Sequence, residues 1–211
     1  MSIIENLVLP DALNATVGPE SKDFVVEAGH IKPFNKVIPF FLFGVAWTLG
    51  TSFFVFNFWW PFLMGEEISF DLNDEIVTMS LQNMSNITVP LIFTVISILV
   101  GVGVLAWGIY FLVKKGGYFV GTPERLINYR NGKIRSIDWE QFTGDIEVSG
   151  NEKKGDISLQ MRTGKMVNTS DDTTSRYVPD FIYISGVSNI FEIEKICRKR
   201  IKENDPTPTQ K

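Results

Sequence analysis

Reactive side chains are scarce in this chain of 211 residues, which holds one histidine, His30, and one cysteine, Cys197. One Cys and one His would need two carboxylates to complete a tetrahedral zinc shell, and no spacing offers them. A lone cysteine excludes an internal disulfide. Cys197 falls on the apolar stripe of a predicted helix, where a thiol behaves as a small, inert hydrophobe. His30, in Gly29-His30-Ile31-Lys32, stands just before a long apolar run and reads as a solvent-facing or interfacial residue. Gly101-Val102-Gly103 lies inside an apolar segment and is no phosphate loop. No catalytic site, metal or cofactor is expected, and the chain reads as a non-enzyme.

The groups with binding chemistry are basic. Arg125, Arg130, Lys133 and Arg135 crowd one predicted β-hairpin, and Lys114 and Lys115 close the apolar segment just before it. Such cations can meet anionic lipid headgroups, at about 1 kcal/mol each near a membrane surface. A solvated strand face explains them equally well, because residues 116–211 carry 15 Lys/Arg against 14 Asp/Glu. The net charge of −4 leaves no nucleic-acid footprint. Asn83-Met-Ser and Asn86-Ile-Thr match the glycosylation acceptor pattern, with Asn86 too near the next apolar segment to be a good acceptor.

What must position these groups is a membrane anchor. No charge occurs in residues 37–65 or 87–113, and about 20 apolar residues suffice to cross a bilayer. The expected transmembrane spans are 37–64 and 89–113, the first with its helix proper between Pro39 and Pro61. Trp59, Trp60, Trp107 and Tyr110 suit the interfaces. The start is too polar, and the first apolar stretch too late and too long, for a signal peptide. Residues 1–36 carry Lys22, Lys32 and Lys36, while 65–88 carry no Lys or Arg but five acidic residues. The positive-inside rule therefore puts both termini in the cytoplasm and the acidic loop outside.

Small residues form a stripe on each span: Gly44, Thr48 and Thr51 on the first, Ser97, Gly101 and Gly108 on the second. Such stripes let helix backbones approach in lipid. They serve either packing within the hairpin or an interface with a membrane partner or a second copy. Neither span holds an ionisable residue, which argues against an autonomous channel or pump.

Residues 116–203 change character. Strands are expected over 118–120, 125–129, 133–137, 145–148, 157–161, 165–168 and 180–184, with Asn131-Gly132 as a hairpin turn, Thr163-Gly164 as a break and 171–175 as a loop. An amphipathic helix follows, with Ile190, Ile193, Cys197 and Ile201 on one stripe and Asn189 with Glu192 as a capping box. Residues 204–211 read as a disordered tail. In residues 1–36, the apolar Ile3 to Leu9 could form a short amphipathic helix, a partner-binding tail or a segment packed on the domain, and 11–20 looks loop-like.

Two spans followed by Tyr118-Phe-Val-Gly-Thr-Pro-Glu-Arg-Leu-Ile127, a hairpin, Ile137-Asp-Trp-Glu-Gln-Phe142, Ser185-Gly-Val-Ser-Asn-Ile190 and a closing helix resemble bacterial membrane proteins with a pleckstrin-homology-like (PH-like) domain. The resemblance implies an α+β, β-rich split barrel capped by its C-terminal helix, and no enzymatic activity. It carries no dependable phosphoinositide site. The fold expected is thus a membrane α-helical hairpin plus a small PH-like domain. Trp139 would enter the domain core if it lies on a strand and project outward, as a docking residue or a membrane-facing one, if it lies on a turn; the core is favoured. Two functions are open: a membrane-anchored scaffold that presents the domain to protein partners, or an accessory subunit of a larger membrane enzyme, transporter or respiratory-type complex.

Overall fold

A computed structural model describes residues 3–4, 7–72, 75–81, 87–151, 153–168 and 175–206. Contacts divide the chain into two units, residues 1–34 with 112–211, and residues 35–111. In chain order the elements are β1 (Ile3–Ile4), α1 (Asp11–Val17), β2 (Phe24–Ala28), α2 (Phe34–Leu63), β3 (Ile68–Leu72), β4 (Glu75–Met79), α3 (Thr88–Val113), β5 (Gly117–Gly121), β6 (Arg125–Arg130), β7 (Lys133–Asp138), β8 (Phe142–Gly150), β9 (Gly155–Asn168), β10 (Ser175–Val187) and α4 (Ile190–Glu203).

Strand β2 finds its partner on the far side of the helical segment. It pairs antiparallel with β5, Phe24 opposite Gly121 and Ala28 opposite Gly117. The β unit therefore begins before the long helices and resumes after them, so the expected domain of 116–203 lacks its first strand. Phe-Val-Val-Glu-Ala is β-branched and apolar enough for a buried strand, but its partner lies beyond the whole helical segment. The Phe24 ring covers Gly121 so closely that a Cβ there would come within 2.2 Å of it.

One sheet runs β2-β5-β6-β7 as an antiparallel meander, extended by the two-residue β1 parallel to β2. The second runs β10-β9-β8. Neither closes into a barrel. At Asn131-Gly132 both residues have positive φ, 51° and 75°, as the expected tight hairpin turn requires. Strand β9 is continuous through Thr163-Gly164, but its pairing with β10 slips there: Gly164 opposes Pro179 and Gln160 opposes Phe181, so the extra residues of the irregularity lie in β9 at the expected break.

The core lies between the sheets and α4. Phe24, Val26, Leu126, Ile137, Phe142, Ile157, Leu159 and Ile184 meet the α4 stripe of Ile190, Ile193, Cys197 and Ile201. Trp139 is fully buried. It sits on a 3-10 turn, residues 139–141, yet points inward, because its indole N–H finds the Thr122 carbonyl at 2.8 Å and its ring packs on Phe142. A turn does not force a side chain outward when a core acceptor is within reach. On the other face of the first sheet, α1 covers Val25, Val120 and Ile127 with Leu13 and Val17. The stretch expected as a loop is thus a short helix.

Two ends of the chain are tied by charge. Asp23, one residue before β2, accepts two hydrogen bonds at 2.8 Å from Arg200 on α4. The α4 N-terminus departs from the expected capping box: Asn189 is left-handed (φ 53°) and makes no side-chain cap. Its carbonyl instead accepts the backbone N–H groups of Glu192 and Ile193.

In the other unit, α2 and α3 are long and apolar enough to cross a bilayer. Helix α2 runs through both Pro39 and Pro61, since each stands near an end, where few backbone bonds are lost. The acidic connection contains the antiparallel hairpin of β3 and β4, Ile68 opposite Met79. The Asn83 and Asn86 acceptor sites lie outside the described residues.

Candidate functional site

Strand alternation decides which cations come together. In the first sheet Leu126 opposes Ile137, Asn128 opposes Arg135 and Arg130 opposes Lys133. All six share one face. Its inner end is core; its outer end, towards the Asn131-Gly132 turn, becomes polar and basic. There the face bounds a cavity of about 250 Å³, lined among others by Lys32, Asn128, Arg130, Arg135 and Tyr183 over a floor that includes Phe119. Among the described residues no carboxylate lines it. The Tyr183 phenol is pushed above its ordinary value by burial and by Glu147 nearby, so it stays a hydroxyl and can donate. Arg130 and Arg135 are exposed, and Arg135 reaches the Met161 sulfur at 3.7 Å.

The predicted headgroup cations therefore divide. Arg130 and Arg135 line the cavity, and Lys133 shares their face at the turn. Arg125 sits on the opposite face and is engaged by the leader: it donates to the Glu20 carboxylate and, at 3.4 Å, to the Thr16 carbonyl. That bond holds the Glu20 carboxyl below its usual range and raises Arg125. Lys115 pairs with Glu27 on β2 at 2.9 Å, which raises its pKa. Lys114 does not line the cavity. Sequence reasoning missed Lys32, which reaches the site from the chain after β2, because nothing local to Gly29-His30-Ile31-Lys32 marks it as a partner of residues near 130.

The small-residue stripes meet each other. A Cβ on Gly44 would lie 3.1 Å from Leu105, one on Gly101 3.1 Å from Thr48, and one on Gly108 3.3 Å from the Phe41 backbone. Trp47 donates to the Ser97 carbonyl at 3.0 Å and Trp59 to the Thr94 hydroxyl at 2.9 Å, so the helices are also hydrogen-bonded. Thr51 lines clefts beside this contact. These stripes make close contacts within the hairpin. The polar Asn57 is satisfied by the Phe53 carbonyl of its own helix.

His30, expected at solvent or at an interface, is half-buried, bridges to Ser185 at the end of β10, and places Nδ1 3.0 Å from the Leu112 carbonyl. Because a carbonyl only accepts, Nδ1 carries the proton in that bond. Cys197 is buried, and burial, with Glu194 and Asp23 nearby, pushes its thiol well up. Among the described residues no three His, Cys, Asp or Glu side chains converge as metal ligands would.

The chain matches no protein-family model, no curated protein and no solved structure.

Proposed function

We propose that this protein is a non-enzymatic, membrane-anchored binding module: a two-helix hairpin in the bilayer that presents a PH-like domain at the cytoplasmic face. The observation that carries the reading is the insertion of the hairpin between β2 and β5, two strands that pair with each other. The chain leaves the domain and returns to it, and two crossings bring it back to the side it left. Only the residues between Ala28 and Phe34, and between Val113 and Gly117, separate the domain from the helices. A domain held so closely at two points is suited to meeting partners at the membrane surface. The PH-like assignment is supported by element order: four antiparallel strands, a second sheet of three, and a closing amphipathic helix in the core. Anchoring is supported by the exposure of both helices, whose most apolar windows are 11% and 22% buried; helices that formed a soluble core would be mostly buried.

Affinity purification of the full chain in mild detergent at native expression tests the reading. A protein partner should be retained and should be lost on substitutions confined to the domain surface. A chain that runs alone as a monomer contradicts it.

A second reading, the accessory subunit of a larger membrane complex, is favoured by the aromatic surface of α2, where Phe40, Phe53, Phe56 and Trp60 stay exposed. Photocrosslinking from Phe53 separates the two. Transfer to lipid alone supports an anchor, and transfer to a membrane protein supports the subunit.

A further inference from the structure

Helix α2 carries a second seam. Gly44, Thr48 and Trp59 meet α3. On the opposite side Phe43, Ala46, Gly50, Phe53, Asn57 and Trp60 follow one another at alternating steps of three and four residues, and all six are exposed. Gly50 stands two residues after Thr48, about 200° around a helix of 3.6 residues per turn. Alternating steps of three and four are the spacing of a seam between paired helices.

Lipid chains are as apolar as phenyl rings, so the exposure of Phe43 and Phe53 calls for no partner. Asn57 is different. Its amide gives one N–H to the Phe53 carbonyl at 2.8 Å. The second N–H and Oδ1 have no partner among the described residues. Trp60, of a residue type suited to the interface, lies three residues on, so the amide sits about 4.5 Å to the hydrocarbon side of it. Hydrocarbon supplies neither donor nor acceptor. Gly50, on the same line, has nothing within 4 Å of where a Cβ would stand, so a second backbone can come close there.

Whatever covers this face must therefore bring both a donor and an acceptor to the depth of Asn57. A carboxamide carries both. A second copy, related by a two-fold axis along the membrane normal, brings its own Asn57 to the same depth, and a two-fold contact joins the same patch on both molecules. A single Asn in such a seam also fixes register and the number of helices, because a slip leaves the amides unpaired. We infer that the face of α2 bearing Gly50 and Asn57 is the contact between two copies of this chain, with the Asn57 amides bonded to each other across the axis. The inference rests on the reading of α2 as a membrane span. Two copies set two β units on one side of the membrane, which strengthens the hold on a divalent partner through effective concentration. Phe53 lies on the seam, so photocrosslinking from it should capture a second copy, told from a different membrane protein by its mass.

The test uses two differently tagged full chains, co-expressed, with one cysteine added at Ala46 on the seam or at Ser52 on another face; both are exposed. Cys197 is buried and stays. Oxidation of the membranes with copper-phenanthroline and oxygen should join Ala46→Cys chains into a disulfide-linked pair carrying both tags, and Ser52→Cys chains far less. In the Ala46→Cys chain, Asn57→Leu should weaken pairing about tenfold, Asn57→Gln should keep most of it, and Gly50→Leu should abolish it. Among the described residues Asn57 bonds only within its own helix and the space beside Gly50 is open, so spin-label distances between α2 and α3 should stay unchanged in these variants. Equal joining at Ala46→Cys and Ser52→Cys overturns the inference. So does an Asn57→Leu chain that pairs as before, or an adduct with another protein in place of the second tag. A chain that stays in the membrane through an alkaline carbonate wash yet gives no doubly tagged pair defeats this inference alone. A chain released by the wash defeats the membrane reading with it.

Discussion

Removing β2 from the β unit should unfold it. Phe24, Val25 and Val26 are each at most 2% exposed, and burying a side chain of this kind contributes about 1.5–3 kcal/mol. Together they supply about 5–9 kcal/mol, an upper estimate because the unfolded chain already hides some apolar surface. The whole stability of a small domain is about 5–15 kcal/mol. Loss of β2 also strips the Asp23 carboxylate from Arg200 and opens the backbone edge of β5. A protein made of residues 116–203 should therefore show no cooperative unfolding. A protein that joins residues 1–34 to 112–211 through a short Gly-Ser linker should fold as a soluble β-rich monomer. The junction is geometrically easy, because the Ala28 carbonyl accepts the Gly116 N–H at 2.9 Å and His30 reaches the Leu112 carbonyl. Far-UV circular dichroism and urea titration of both proteins make the comparison. A cooperative transition in 116–203 with the midpoint of the joined protein would refute the reasoning.

In the joined protein, Trp139→Ala should cost about 3–5 kcal/mol, read from the urea midpoint; a loss below about 1 kcal/mol would mean the indole is not a core group. Lowering the pH should destabilise the same protein through Glu20, whose folded carboxyl lies below its ordinary value of 4.5 because Arg125 donates to it. That contribution is present above the ordinary value and fades as pH falls through the lower folded one, so Glu20→Gln should flatten this part of the stability profile, and an unchanged profile counts against the bond. In the full chain, Gly101→Leu should force α2 and α3 apart, since even a Cβ there meets Thr48 and Trp47 at 3.1 Å. Distance measurements between spin labels on the two helices should lengthen and broaden, and unchanged distances would show that this contact is not close.

How far the sequence could be read depended on how local each signal was. The long helices were legible from charge-free runs, the β6–β7 turn from Asn131-Gly132 and the buried face of α4 from its four-residue stripe. Strand β2 was not, because Phe24 to Ala28 finds β5 only across the intervening hairpin. The same separation concealed the fates of Arg125 and Lys115, whose partners Glu20 and Glu27 lie in the leader. Two of the cavity's three cations, Arg130 and Arg135, were visible in the sequence; Lys32 was not. At Thr163-Gly164 the signal marked a slip in the pairing of β9 with β10 and not the end of the strand, because pairing partners cannot be read from one strand.

Cysteine accessibility reports which side of the membrane each segment occupies. Single cysteines at Ser21, Glu66 and Lys153 sit at exposed positions in the leader, the connection and the β unit. Cys197 can remain, since it is buried and its thiolate is disfavoured. With a membrane-impermeant thiol reagent on intact cells, the account predicts labelling at Glu66→Cys alone, with Ser21→Cys and Lys153→Cys reacting together only after the membrane is opened. Labelling of Ser21→Cys and Lys153→Cys from opposite sides would contradict it, because one folded β unit cannot be built from strands that a bilayer separates.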